Sequence, residues 1–191
     1  MTHVSIIGTG SMGQAIAGLV AKAGGTVELL GPEDGATVPT GRIVILAVPY
    51  PALAQVLAAH AEHLVGKVVV DITNPLDMAT FDSLTVAPDA SAAAELASAL
   101  PSSHVLKAFN TNFGATLASG VAGDQPTTVL VAGDDADAKA SLIAAITPSG
   151  VKALDAGSLK RARELEAIGF LQISLAASEK IGWTGGFAVV A

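Results

Sequence analysis

Six residues near the N-terminus, Gly8-Thr9-Gly10-Ser11-Met12-Gly13, constrain this chain more than any other stretch. The apolar run His3-Val4-Ser5-Ile6-Ile7 precedes them and Gln14-Ala15-Ile16-Ala17-Gly18-Leu19-Val20 follows. The order is therefore strand, glycine turn, helix. Met12, Ala15, Ile16, Leu19, Val20 and Ala23 recur at three- and four-residue steps on one helical face, and Gly24-Gly25 ends the run. Gly8 can turn tightly out of the strand, Gly10 leaves room for a phosphate to approach the backbone, and Gly13 lets the helix pack on the strand. Free N–H groups at the helix start, reinforced by the helix dipole, suit an anion. The bland alternative is an ordinary glycine-rich turn. The agreement of strand, spacing and helix favours the opening turn of a dinucleotide-binding βαβ unit.

Downstream, strands and helices alternate. Residues 26–30, 42–48, 67–73, 104–110, 127–133 and 151–155 read as strands, and residues 42–48 are apolar almost throughout, as a buried parallel strand is. Helices are expected from Pro51 to about residue 65, over residues 90–100 and 135–146, and over residues 158 to about 180, the longest. The pattern predicts an α/β fold with one Rossmann-like, doubly wound, mostly parallel sheet. Only eleven residues separate Leu30 from Arg42. A crossover helix plus a further strand needs more, so this second crossover is expected to be abbreviated to a loop, with a short edge strand at Ala36-Thr37-Val38. The loop after Thr73 runs to roughly fifteen residues, long enough to be functional.

Composition excludes several classes. The 191 residues, 51% of them hydrophobic, suffice for one domain with its own core, and the chain is read as a single domain over 1–191. A net charge of −7 with no basic stripe argues against nucleic acid or an acidic membrane as partner. The chain has no cysteine, hence no disulfide or thiolate chemistry. The four histidines lack metal-ligand spacing; His60 and His63 share a helix face that reads as solvated. No metal is expected. Every apolar run is interrupted short of membrane-spanning length, and no signal-peptide pattern opens the chain, so the expected location is the cytoplasm.

In an open parallel sheet, ligands bind beyond the carboxyl ends of the strands. The candidates are Thr9 to Met12, Gly31-Pro32-Glu33-Asp34, Ala47-Val48-Pro49-Tyr50, Thr73-Asn74-Pro75-Leu76 and Phe109-Asn110-Thr111-Asn112, five segments expected to converge on one cleft. They contain no Ser–His–Asp set, metal cluster or matched carboxylate pair. Hydride transfer can proceed by positioning alone, with the chemistry held in the cofactors, so no catalytic side chain is assigned.

Longer motifs sharpen this reading. Gly8-Thr9-Gly10-Ser11-Met12-Gly13, Ile45-Leu46-Ala47-Val48-Pro49-Tyr50, Val70-Asp71-Ile72-Thr73-Asn74-Pro75-Leu76, Val105-Leu106-Lys107-Ala108-Phe109-Asn110-Thr111, Leu154-Asp155-Ala156-Gly157-Ser158-Leu159 and Ala162-Arg163-Glu164-Leu165-Glu166 follow one another along nearly the whole chain. In that order they resemble the NADPH:coenzyme F-420 oxidoreductase family, which is similar in turn to the cytosolic reductase domain of STEAP metalloreductases.

The resemblance implies a small reductase moving a hydride between NADP(H) and a deazaflavin, coenzyme F-420, or a flavin-like acceptor. It implies dinucleotide contacts at Gly8, Thr9, Gly10, Ser11, Met12, Gly13, Gly31 and Pro32. The nicotinamide would lie beside Ala47, Val48, Pro49, Tyr50, Asn74 and Pro75. The second substrate would stack near Phe109, Asn110, Thr111, Asn112 and Trp183, with residues 158–191 completing that pocket; Trp183 and Phe187 equally suit a simple anchor for the chain end. The family commonly has a Ser/Thr-Arg pair after the second strand, where Arg meets the 2′-phosphate of NADPH. Here Gly31-Pro32-Glu33-Asp34 stands instead, and acidic groups there suit the ribose of NAD(H). The family points to NADP(H) and the local charge to NAD(H); the balance tips to NADP(H). The abbreviated crossover leaves the adenine side open and predicts weak dinucleotide affinity. Leu165, Ile168, Leu171, Ile173, Leu175 and Ala176 give the last helix more apolar surface than one core stripe needs, so a homodimer is expected. Two alternatives stay open. One is a reductase of a small imine or keto substrate, although pyrroline-carboxylate reductases with a similar turn generally add a helical domain for which there is no room here. The other is a dinucleotide-binding module without turnover.

Overall fold

Strands buried on both faces of a sheet are mostly apolar, and β1 (His3–Ile7), β3 (Ile43–Leu46) and β4 (Val68–Asp71) are so, with Ser5 and Asp71 as their buried polar residues. In the computed structural model, which describes residues 2–35 and 37–190, these strands form the centre of a seven-stranded sheet. The elements follow as β1, α1 (Ser11–Lys22), β2 (Thr26–Leu30), β3, α2 (Leu53–His60), β4, α3 (Ala92–Ala99), β5 (His104–Lys107), α4 (Gly114–Ser119), β6 (Val121–Ala122), β7 (Gln125–Pro126), β8 (Thr128–Gly133), α5 (Ala136–Ile146), β9 (Lys152–Gly157) and α6 (Ala162–Ala177). The strand order is β2-β1-β3-β4-β5-β8-β9, and β6 and β7 form a separate hairpin. The first five strands run parallel; β8 joins β5 antiparallel through Leu106 and Lys107, and β9 is parallel to β8.

Alternate side chains of each strand feed opposite faces. Ile6, Ile45, Val70, Leu106 and Val131 pack with Ile16, Leu117, Leu142 and Ile146 on one face. Ile7, Val44, Leu46 and Val69 pack with Leu53, Val56 and Leu96 on the other. Side-chain caps start two helices: Ser91 accepts from the Ala94 amide and Asp135 from the Ala138 amide.

The Rossmann-like sheet, abbreviated second crossover and C-terminal helix stand as expected. Between β2 and β3 there is a single 3₁₀ turn, Pro32–Asp34, and no crossover helix. Of the expected edge strand, Ala36 lies outside the described residues, and Thr37 and Val38 carry no strand.

Other expectations need correction. The helix expected over 51–65 is three pieces, a 3₁₀ turn, α2 and a second 3₁₀ turn, and α6 ends at Ala177 because Glu179 adopts a φ of +59°. The strands expected over 42–48, 67–73 and 104–110 end earlier, since each runs out of a ladder partner where its chain enters the cleft. Helix α4 and the β6–β7 hairpin have no counterpart in the sequence reading; six residues opening on Gly114 give too short a period to detect. His60 does not face solvent. It is 6% exposed, its Nδ1 lacks a partner, and burial lowers its pKa below the usual value, with His63 adding to the effect.

Candidate functional site

The glycine turn is built by two close approaches and one opening. At Gly8 φ is +121°, and a Cβ there would overlap the Ala47 carbonyl at the end of β3. A Cβ on Gly13 would overlap the Gly8 carbonyl. These two glycines let β1, β3 and α1 meet. Gly10 differs: a Cβ there would have nothing within 4 Å. Gly10 is the N-cap of α1, and no side chain caps that helix. Thr9, Gly10 and Ser11 are exposed. The first-turn amides therefore face an open cradle of the kind a pyrophosphate occupies, and these residues fit a dinucleotide.

Beside this turn, the Gly8 amide donates to the Leu30 carbonyl at 2.8 Å and ties the ends of β1 and β2. Gly31 and Pro32 begin the 3₁₀ turn that follows. The Asp34 carboxylate folds back to accept from the Gly31 amide at 2.7 Å, and the Glu33 carboxylate lies over Gly31. On β2, hydrogen bonds from Ser5 and Thr40 outweigh desolvation and hold the Glu28 carboxyl below its ordinary range.

The opposite wall rises from the ends of β4 and β5. Asn74 Nδ2 donates to the Asn110 carbonyl, and Asn110 Nδ2 donates to Asn74 Oδ1, both at 2.9 Å. Asn110 Nδ2 also donates to the Leu165 carbonyl of α6 at 2.8 Å. Gly169 lets α6 come this close, since a Cβ there would overlap Asn74 Oδ1. Asn110 Oδ1 and Asn112 Oδ1 are buried acceptors without a partner among the described residues.

Beneath this wall sits a charge cluster that the sequence reading did not single out as functional. The Lys107 ammonium is fully buried and contacts Asp71 Oδ2 and Glu166 Oε1, each at 2.8 Å, and the Thr73 carbonyl. Asp71 Oδ1 accepts from the Thr73 amide at 2.8 Å. Glu166 also accepts from the Ala92 and Ala93 amides at the start of α3. Desolvation raises the Glu166 pKa, and Lys107 and the Ala92 amide offset part of the rise. The cluster thus fixes β4, β5, α3 and α6 to one another just below Asn74. Its sequence signal is a lone charge ending each of two apolar strands, Val68-Val69-Val70-Asp71 and Val105-Leu106-Lys107.

Ser11 and Met12 of the glycine turn, Asn74, Asn110, Asn112, Phe113, Met78, Phe81, Ile173 and Trp183 line one cleft of about 430 Å³. Trp183 is 52% exposed and stacks tilted on Phe113, their ring centroids 5.0 Å apart. The C-terminal segment is held there because the Phe187 amide donates to the buried Gln172 Oε1 at 3.0 Å.

The five strand-end segments converge only in part. Ser11, Met12, Asn74, Asn110, Asn112 and Trp183 meet in the cleft. Pro75 is buried, and its carbonyl accepts from Thr85, closing the long loop. Ala47 abuts the glycine turn, and Pro49 is exposed before a second 3₁₀ turn. Val48 and Tyr50 pack toward α2 and α3 instead. Tyr50 Oη donates to Glu95 at 2.6 Å, which pushes the phenol up to about 12. Phe109 does not line the cleft: its φ of +63° turns the chain while its side chain is wholly enclosed in the core. Thr111 is buried and also outside the cleft lining. Among the described residues no group of His, Asp or Glu is arranged to hold a metal.

Fold and cradle together define an α/β protein of the Rossmann class, with an open anion cradle at the start of α1. An F-420-dependent NADP reductase from Methanocaldococcus jannaschii is 35% identical over 164 residues, 83% of this chain and 72% of the relative. The chain belongs to the F-420-dependent NADP reductase family, a family of oxidoreductases. The metalloreductase STEAP3 of Rattus norvegicus is 37% identical over 112 residues, 59% of this chain and 22% of that protein. In fold, the chain matches a candidate F-420-dependent NADP reductase from Arthrobacter sp. FB24 at a TM-score of 0.84, with 24% identity and complete coverage of both. It also matches an imine reductase from Aspergillus terreus at 0.60, with 18% identity over 94% of this chain and 62% of that one. No family model matches the chain. No helix of the described residues is long and apolar enough to cross a membrane.

Proposed function

We propose that this protein transfers a hydride between NADP(H) and a deazaflavin of the F-420 type. The supporting observation is the continuity of the open glycine cradle with an apolar cleft: Ser11 and Met12 belong to both. The first-turn amides of α1 hold the pyrophosphate, and Ala47, Pro49 and Asn74 border the nicotinamide. Asn110, Asn112, Phe113 and Trp183 border the second ring. The nicotinamide supplies the hydride chemistry when bound. The protein's part is to orient, and to exclude water with Met12, Met78, Phe81, Ile173 and Trp183. The Asn74–Asn110 pair, fixed from below by Lys107, keeps the wall between the rings rigid. Residues 1–191 act as one domain, with the segment from 158 onward completing the second pocket. A cytoplasmic site of action goes with this reading.

Ile168 and Leu171 of α6 are 36% and 51% exposed. They lie three residues apart on one helical face, and a second copy of the chain covering them gives a homodimer.

The test mixes purified protein with NADPH and oxidised F-420 and follows the deazaflavin absorbance. Catalytic bleaching with matched NADPH loss is expected. Dinucleotide binding without bleaching would replace the enzyme by a binding module.

A further inference from the structure

The strand end beside the glycine turn carries acid and no base. From residue 23 to residue 41 the sequence holds Glu28, Glu33 and Asp34 and neither Lys nor Arg. Two of these carboxylates are committed: Glu28 accepts from Ser5 and from the Thr40 amide, and Asp34 from the Gly31 amide. Lys67, which reaches the far end of the same connection, spends its ammonium on the Pro39 and Gly41 carbonyls, both at 2.8 Å. Glu33 is exposed and lies over Gly31 at the end of β2. Among the described residues no hydrogen bond or ion pair engages it. It stands twenty residues after Gly13, the spacing at which an acidic side chain accepts from the adenosine ribose in a βαβ dinucleotide site. The site itself is marked independently, by the open cradle at Gly10 and the uncapped start of α1.

We infer that Glu33 is the specificity-determining residue of the dinucleotide site, accepting from the 2′-hydroxyl of NAD(H) and repelling the 2′-phosphate of NADP(H). The inference rests on the dinucleotide reading above. It narrows the preference for the phosphorylated nucleotide that the family's name carries. A carboxylate and a phosphate a few ångströms apart at an exposed site disfavour each other by about tenfold in affinity. Nothing basic between residues 23 and 41 offsets that repulsion.

Titration calorimetry of the full chain with NADPH and with NADH, for wild type, Glu33→Gln and Asp34→Asn, tests this. In Glu33→Gln, NADPH binds more tightly and NADH more weakly, so the ratio of dissociation constants moves about tenfold toward NADPH. Opposite movements of the two nucleotides are not what a loosened turn produces, because loosening weakens both together. Asp34→Asn, which alters the cap, moves both constants in the same direction. A Glu33→Gln ratio within about twofold of wild type overturns the inference, as does a larger ratio change in Asp34→Asn. If wild type binds neither nucleotide while unfolding cooperatively, the dinucleotide reading fails and the inference goes with it.

Discussion

Gly8 and Gly10 stand two residues apart and answer to different demands. Gly8 satisfies the protein: its φ of +121° and the Ala47 carbonyl leave no space for a side chain. Gly10 meets no such demand from the chain, since a Cβ there would have nothing within 4 Å; in the proposed site it leaves room for the phosphates. Gly10→Val is therefore expected to leave the melting temperature unchanged and abolish dinucleotide binding by calorimetry. Gly8→Ala is expected to cost ~2–4 kcal/mol in chemical denaturation. The turn was legible in sequence because its glycine spacing and its flanking strand and helix lie in one contiguous stretch, although the carbonyl that crowds Gly8 comes from Ala47. His60 was not, because its burial to 6% exposure is a property of the packed fold that its own helix periodicity does not reveal. With its folded pKa lowered from 6.5, the unfolded chain takes up a proton that the native state refuses. Stability is then complete above about pH 6.5, falls as pH drops toward the folded pKa, and levels off below it. His60→Leu should flatten the melting temperature between about pH 7 and pH 5; an unchanged slope would assign the loss to other groups.

At the scale of elements, the Lys107 cluster fastens two strands and two helices. Lys107→Met leaves Asp71 and Glu166 buried without their cation. Breaking a buried ion pair from one side costs ~3–5 kcal/mol, a fall of about 10 °C for a chain of this size, measurable by calorimetric melting. The sequence places Asp71 and Lys107 inside the strands expected over 67–73 and 104–110, each a lone charge among apolar neighbours. Pairing them required knowing that β4 and β5 are neighbours in register, with Asp71 opposite Lys107. Glu166 reads as an ordinary helix charge until α6 is laid against α3. The charges are strand and helix residues by sequence, and a single cluster only by packing.

For the whole molecule, light scattering at micromolar concentration should give a dimer mass, and Leu171→Asp, which charges the exposed face of α6, a monomer with unchanged melting temperature. Without a crossover helix after β2, the adenine side stays open, and neither nucleotide should bind below about 1 μM. A hundredfold excess over the dissociation constant should still add ~2.7 kcal/mol of stability, visible as a thermal shift. What the sequence determined by itself was the strand–turn–helix opening, the alternation of elements and the abbreviated crossover. Each depends on sterics and periodicity within contiguous residues. The tertiary structure alone decided that β8 runs antiparallel to β5, that Phe109 faces the core, that Trp183 stacks on Phe113, and that Lys107 meets two carboxylates. Those outcomes are set by contacts between residues far apart in the chain, where burial and pairing outweigh local preference.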